Sequence, residues 1–373
     1  MLRNLKLTLL RAAKSLGAYR LARISPWRSR QLLILCYHGI SIDDEHEWAP
    51  GLFMSAAQFA SRLALLRRAR CNVLPLGEAL DRLRSGTLPP RAVVLTFDDG
   101  NFDFLERAWP LLRAHQLPAT VYLTTYYSER QFAVFPVALS YVLWKARGRQ
   151  AVVTLGERGL AIDTRTGGGR QRARDEIQRH AQEADLSAGE KDTLVERLAS
   201  ALGYDYGEVR RRRLLHIMTP DEVRTLAAQG LDVQLHTHRH RSPLEEPAYR
   251  TEIAANRDRI VAMTGRVPTH FCYPSGVCMP QFGPWLEHEG VVSSTTCEPG
   301  MATASADFQR LPRLLDHAHM TDLEFEAWLT GLGALLPRRE VGFTPVDRQG
   351  NLVLGAPAEP VTEALAEEEV AAL

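Results

Sequence analysis

Two short motifs, far apart in the chain, carry the residues best able to do chemistry. Thr96-Phe97-Asp98-Asp99-Gly100 follows the apolar run Val93-Val94-Leu95, and His236-Thr237-His238-Arg239-His240 follows the alternating run Leu231 to Leu235. Together they offer a carboxylate pair and a histidine pair, each at the end of a predicted strand. Two imidazoles and one carboxylate suit a divalent metal ion with one position left open. The second carboxylate is then available as a base. Each half alone has a plainer reading. Asp and Gly tolerate the dihedrals of turns, so Asp-Asp-Gly after a strand is also a turn signal. His236 and His240 taken singly are compatible with solvated loop histidines. Their shared position favours a site, because loops at the carboxyl ends of parallel strands are where α/β and barrel enzymes place their chemistry.

The elements that must position these motifs alternate between strand and helix patterns. Residues 32–36 read as a first buried strand. Ser55 is a cap for a helix through about Arg68, with Phe59, Leu63 and Leu66 on one face. A short helix over Leu76 to Leu83, the strand ending at Thr96, a helix around Phe104 to Leu112 and a strand over Ala119 to Leu123 follow. This alternation predicts parallel βα units. The pattern changes over 131–214. Ala151 to Leu155 and Leu160 to Ile162 flank Gly156-Glu157-Arg158-Gly159 and read as a hairpin. Gly167-Gly168-Gly169 reads as a loop. Two charged helical stretches, about 170–184 and 188–202, read as solvated faces, with a lid or substrate-docking surface as the second reading. The βα pattern resumes at Thr219-Pro220-Asp221-Glu222, which combines a cap, a proline at the first helical position and a capping-box Glu. A helix from about Tyr249 stops at Gly265, and Phe271 starts the next strand. The expected organisation is therefore a segment at 1–30, a barrel from 31–130 and 215–335, an insertion at 131–214, and a mobile tail at 336–373 that is rich in Ala and Glu.

Composition narrows the function. The 373 residues carry a formal net charge of +1, which gives no basis for nucleic-acid binding. Cys36, Cys71, Cys272, Cys278 and Cys297 show no metal spacing, and an odd, scattered set fits a reducing compartment. No run approaches the roughly 18 apolar residues of a membrane span. Residues 2–24 contain Arg3, Lys6, Arg11, Lys14, Arg20 and Arg23 without an acidic residue, and the basic residues interrupt any secretory h-region. Leu2, Leu5, Leu9, Ala13 and Leu16 recur at helical spacing. The segment reads as an amphipathic helix docked on the domain, or as a basic helix making peripheral contact with an anionic inner membrane. The expected location is cytoplasmic.

The two motifs resemble those of the polysaccharide deacetylases, the NodB-homology domains of carbohydrate esterase family 4. Residues 96–100 match the family's T-F-D-D-G at every position, and His236, Thr237 and His240 match its H-[S/T]-x-x-H. Phe271-Cys272-Tyr273-Pro274-Ser275-Gly276 is similar to the F-x-Y-P-x-G third motif of one branch, and Tyr37-His38 to the opening of that branch. Leu311-Pro312-Arg313 resembles a late element of the domain. The resemblance covers about residues 31–130 and 215–335. It implies a distorted (β/α) barrel of about seven units, with an inserted hairpin-plus-helices segment. It implies Asp99, His236 and His240 as ligands of a divalent metal, zinc foremost, and Asp98 as the base. It assigns Thr237 to steadying the second-motif loop and a backbone N–H of Ser275 to the oxyanion. Tyr273 is expected either to line the sugar pocket or to pack before the turn. Where many members have a third-motif Arg, this chain has Cys272, and Arg313 is the candidate replacement. Leu315-Asp316-His317 looks like the family's Leu-x-His but sits in a poorly matching setting, so His38, His317 and His319 compete as general acid, with His38 preferred.

The reading that follows is metal-dependent removal of acetyl groups from N-acetylhexosamine units of a glycan, oligosaccharide or glycolipid precursor. Two alternatives stand beside it. One is a metal-dependent hydrolase of a non-sugar amide or O-acetyl ester. The other is a non-catalytic glycan-binding protein, against which the intact Asp98, Asp99, His236 and His240 argue.

Overall fold

The apolar runs become seven parallel strands: β1 (Leu33–Tyr37), β2 (Ala92–Phe97), β3 (Thr120–Leu123), β4 (Asp232–Leu235), β5 (His270–Cys272), β6 (Ser293–Thr295) and β7 (Leu314–Leu315). The computed structural model describes residues 2–156 and 158–336; Glu157 and the expected tail from 337 onward lie outside the described residues. The strands run in the order β6-β5-β4-β3-β2-β1-β7, with the two-residue strand Asn72–Val73 also pairing with β2. The sheet curls until its edges are joined by one stretch of chain. Leu311 bridges Thr295 of β6, and Leu314 and Leu315 pair with Leu35 and Cys36 of β1.

Alternation along each strand sorts side chains between two faces. Leu35, Tyr37, Leu95, Phe97, Leu235 and Phe271 point outward into the main core, which the helices Ala56–Arg68, Pro220–Ala228 and Glu246–Thr264 cover. Fully burying each such side chain contributes about 1.5–3 kcal/mol. Their neighbours Ile34, Val94, Tyr122 and Cys272 form a separate cluster with the helix Leu76–Arg84. The same parity carries Cys36, Thr96 and then Asp98 onto this concave side, so the interior becomes polar toward the carboxyl ends of the strands.

Several helix boundaries follow from local chemistry. Ser55 accepts a hydrogen bond from Gln58 N, and Thr219 and Glu222 form a complete capping box. Gly265 ends its helix at φ 68°. Pro110 lacks an N–H, and the chain accommodates it with a wider π-type turn over Phe104–Ala108 before the helix Trp109–Ala114. The predicted loop at 167–169 is instead the first turn of the helix Gly167–Glu183. Thr166 Oγ1 caps it by accepting from Gly169 N at 3.0 Å. A Cβ on Gly169 would stand 2.2 Å from Asp163 O, so glycine serves close packing there and not a loop conformation.

The helices Gly167–Glu183 and Ala188–Ala201 are charged outside and apolar inside. Ile177, Leu194 and Leu198 join Leu139 and Val142 in a second core, which also takes in Trp48 and Phe53 from the β1 side of the chain. At the other end, the helix Leu2–Ser15 lies on the helix Asp322–Thr330. Leu10 is buried there, Lys6 pairs with Glu324 at 3.1 Å, and Lys14 pairs with Glu326. Leu5, Leu9 and Leu16 face outward and are exposed.

Candidate active site

The end of β2 is where the first motif leaves the sheet. Phe97 is the last strand residue, and Asp99 turns back at φ 68° with Gly100 at φ 85°. Consecutive strand residues point to opposite faces, so this left-handed turn is what lets Asp98 and Asp99 reach one site. Left-handed backbone is costly for a non-glycine residue and tends to gather at functional sites. Thr237 (58°), His240 (56°) and Ser275 (53°) share it.

Asp99, His236 and His240 converge. Both imidazole Nε2 atoms stand 3.2 Å from the same oxygen, Asp99 Oδ1. That oxygen is buried and has no hydrogen-bond partner of proper geometry. Three ligand-type atoms around a buried orphan oxygen are what a metal ion would satisfy. Burial would raise the Asp99 carboxyl, and contact with the two imidazoles outweighs it and holds the group well below the usual carboxylate range. Two other ligand-type groupings involve Asp98 with a cysteine and a histidine. They are poorer candidates, because Arg313 occupies both Asp98 oxygens. Burial also pushes the Cys36 and Cys272 thiols well above their ordinary value and keeps them neutral.

The ligand set is held from behind. His236 Nδ1 donates to the Cys272 carbonyl at 2.8 Å, which leaves Nε2 directed at Asp99. His236 N donates to Asn256 Oδ1 at 2.9 Å, and Asn256 Nδ2 donates to Leu123 O at the end of β3. Thr237 Oγ1 accepts from Arg241 N at 3.0 Å, closing the loop that carries His240. Arg239 is tied to Glu252 through both its backbone N–H and its guanidinium. His238, between the ligands, is buried with Nδ1 2.9 Å from Thr125 Oγ1, and burial among arginines lowers its pKa to about 4. It belongs to the scaffold of the loop.

Asp98 is 2% exposed, and Arg313 grips it at two points: Nη1 to Oδ1 and Nη2 to Oδ2, each 2.7 Å. Arg313 itself is fully buried, with Nε donating to Thr296 O at 2.9 Å. Burial raises the Asp98 carboxyl, but the Arg313 charge and its hydrogen bonds prevail and hold it far below the carboxylate range. Cys36 and Cys272 place their sulfurs 3.5 and 3.4 Å from Oδ2. His38 Nε2 stands 3.7 Å from the same oxygen. Burial lowers the His38 pKa despite both aspartates, which favours the neutral ring.

A groove of about 740 Å³ opens over these groups, lined by His38, Asp98, Asp99, His236 and His240 on one side. Ser275 lines it from the turn after β5. Phe135, Gln178, Gln182 and Lys191 line it from the 131–214 stretch. His317 and His319 do not line it; the neighbouring Asp316 is drawn away to the buried Arg62, with Arg62 Nε 2.9 Å from Oδ2. The pocket-lining expectation for Tyr273 is corrected. Its ring is buried, stacks against Phe282 and donates through its hydroxyl to Gln309 O at 2.9 Å. Tyr273 shares strand parity with Phe271, so it faces the outer core while Cys272 faces Asp98.

Two supporting residues escape a motif reading. Asn256 is one, although a lone Asn in the buried stripe Tyr249, Ile253, Asn256, Ile260 was a usable signal. Cys36 is the other, two residues before His38 and therefore on the same face of β1.

A parallel curled sheet thus carries, at its carboxyl ends, an Asp-His-His cluster that could hold a metal ion and a buried Asp–Arg pair beside it. A sequence profile described as polysaccharide deacetylase matches residues 85–282, more than half of the chain, and the chain belongs to that family. It is 36% identical over 97 residues to the poly-β-1,6-N-acetyl-D-glucosamine N-deacetylase of Escherichia coli (strain K12), a match covering 25% of this chain and 14% of that protein. The enzyme of the same name from Staphylococcus aureus (strain MSSA476) is 33% identical over 72 residues, covering 19% of this chain and 25% of that one. The chain thus spans a quarter or less of the length of these curated relatives. Among solved structures, the deacetylase PplD of Streptococcus pyogenes in complex with acetate superposes with a TM-score of 0.53 at 17% identity, over 82% of this chain and 99% of that one. IcaB from Ammonifex degensii superposes with a TM-score of 0.50 at 17% identity, over 81% and 98%. These likenesses show the distorted barrel fold.

Proposed function

We propose that this chain is a divalent-metal-dependent deacetylase acting on N-acetylhexosamine units of a glycan, oligosaccharide or glycolipid, with zinc as the ion. The observation that carries this reading is the convergence of Asp99, His236 and His240 beside an Asp98 kept ionised by Arg313, in one open groove. The curated relatives, named for N-deacetylation of poly-β-1,6-N-acetyl-D-glucosamine, support the amide and the sugar. Asp99, His236 and His240 would hold the ion, which would supply a Lewis acid for the acetyl carbonyl and make a nearby water more acidic. Asp98 accepts the proton that the attacking water sheds. His38, 3.7 Å from Asp98 Oδ2, takes that proton over from Asp98 and passes it to the nitrogen as the C–N bond breaks, so that amine and acetate leave. The turn at Ser275 offers a backbone N–H to the oxyanion.

The test is incubation of the zinc-loaded protein with N-acetylated oligosaccharides and glycolipids, with acetate release measured. O-acetyl esters and small amides serve as the contrasting arm. Release from these alone would move the assignment to the rival hydrolase, and metal binding with no release from any substrate would reject it.

We also propose a cytoplasmic location with peripheral contact to an anionic inner membrane through residues 2–24. Support comes from the outward Leu5, Leu9, Leu16 and Leu21 beside the exposed Arg11 and Arg20, and from five free cysteines. No described helix is long and apolar enough to cross a membrane. Pelleting with phosphatidylglycerol vesicles, weakened by salt, is expected. Salt-insensitive retention would reject the electrostatic contact, and a processed periplasmic form would reject the location.

A further inference from the structure

The groove carries a charge pattern that acetyl hydrolysis does not use. Lys191, in the first turn of the helix Ala188–Ala201, and Arg241, next to the ligand His240, line the same groove. Among the described residues neither makes an ion pair. Asp185 also lines the groove, without coming within ion-pair distance of either. The remaining Lys or Arg of the groove lining, Arg239, is already bound by Glu252 at 2.8 Å. Lys191 and Arg241 are half-buried. Two like charges held facing one cavity destabilise each other unless an anion lies between them. Burial and Arg241 lower the Lys191 ammonium against the opposing influence of Asp185.

A second observation points to a ligand. Ser242, next to Arg241, is 1% exposed and lines the groove, and its Oγ has no hydrogen-bond partner. The Gln178 side chain reaches the groove from the neighbouring helix with its Oε1 buried and equally unpartnered. The Ser242 hydroxyl and two cations around one cavity make a set of donors for an oxyanion, and the Gln178 oxygen is left to accept from a sugar hydroxyl beside it.

We propose that Lys191, Arg241 and Ser242 form a subsite for an anionic substituent of the substrate, a phosphate or a carboxylate carried on or beside the N-acetylated sugar. The proposal rests on the deacetylase reading and narrows its substrate class. Arg241 directly follows the metal-ligand candidate His240, and its N–H is fixed on Thr237 Oγ1, so the anion is bound in the same groove as the reacting acetyl group. The helix pair of the 131–214 stretch thereby reads the substrate.

The test measures binding as well as turnover, on the zinc-loaded full chain. Titration calorimetry compares N-acetylglucosamine, N-acetylglucosamine 6-phosphate and N-acetylmuramic acid. At least one anionic sugar is expected to bind about tenfold or more tightly than the neutral one, the scale of one charge-assisted contact. The two anionic arms separate phosphate from carboxylate. Lys191→Met and Arg241→Met should each erase most of that preference, and Lys191→Arg should restore it. Acetate release from matching oligomers should show the same preference in KM. Equal binding of all three sugars, or a preference that survives both Met variants, overturns the subsite while leaving deacetylation standing. Anion preference without acetate release from any oligomer overturns the deacetylase reading instead.

Discussion

His236 Nδ1 donates to the carbonyl oxygen of Cys272 across 2.8 Å, so an imidazole at the end of β4 takes its orientation from the backbone of β5. The ring cannot turn without leaving a buried carbonyl unpaired. A preset imidazole lowers the ordering cost of ion binding, because the site need not be assembled around the ion.

This arrangement predicts that zinc stabilises the folded chain through three side chains. Zinc at a hundred times its Kd should add about 2.7 kcal/mol to stability and raise Tm accordingly. His240→Ala and Asp99→Ala should abolish that rise and bring bound zinc, measured by elemental analysis, close to zero. Retention of parental zinc by either variant would place the metal elsewhere.

Asp98 and Arg313 should behave as one unit. Asp98→Asn leaves a fully buried guanidinium without its counter-charge, which costs on the order of 3–5 kcal/mol. Arg313→Lys loses the two-point grip, since an ammonium cannot reproduce the fork. Both variants should lose roughly 10²–10⁴-fold in kcat with zinc still bound. A double variant no worse than either single would establish the coupling; additive losses would show two independent roles.

His38 should be the histidine that matters for proton delivery. With metal content matched, His38→Ala is expected to lose about 10²-fold or more in kcat, while His317→Ala and His319→Ala stay near the parent. An inactive His317→Ala beside an active His38→Ala would reverse the assignment.

Acid should weaken the fold through His216. This imidazole is buried, with Nδ1 2.8 Å from Leu214 O, and burial lowers its pKa from the ordinary 6.5. The unfolded chain therefore takes up the proton first as pH falls below 6.5, and stability present above that value is lost on the acid side. The urea midpoint should fall between pH 7.5 and pH 5.5, and His216→Phe should show a shallower fall. An identical slope in the variant would assign the acid sensitivity to other groups.

Much of the site was legible because its two motifs sit where strand periodicity stops. Asp98 and Asp99 could share a site only if β2 ended at Phe97, and Gly100 pointed to the turn that ends it. The role of Arg313 was less legible. It depends on a contact between residues 215 positions apart, which no local pattern encodes. Tyr273 was left between two readings for a different reason: parity with Phe271 placed it in the outer core, but an aromatic before a turn also suits a sugar platform. The run Gly167-Gly168-Gly169 misled because glycine marks loops and close packing alike. Only the proximity of Asp163 O to Gly169 distinguishes the two.

The stretch that joins β6 to β1 also delivers Arg313, and this ties catalysis to the order of synthesis. As the chain leaves the ribosome, Asp98, Asp99 and both histidines emerge well before residue 313. Until that last stretch docks, the carboxylate of Asp98 has no guanidinium and the curled sheet has an open seam. A nascent or prematurely terminated chain thus contains Asp99, His236 and His240 yet lacks the grip on Asp98, so the arrangement proposed for hydrolysis is complete only when β7 is in place.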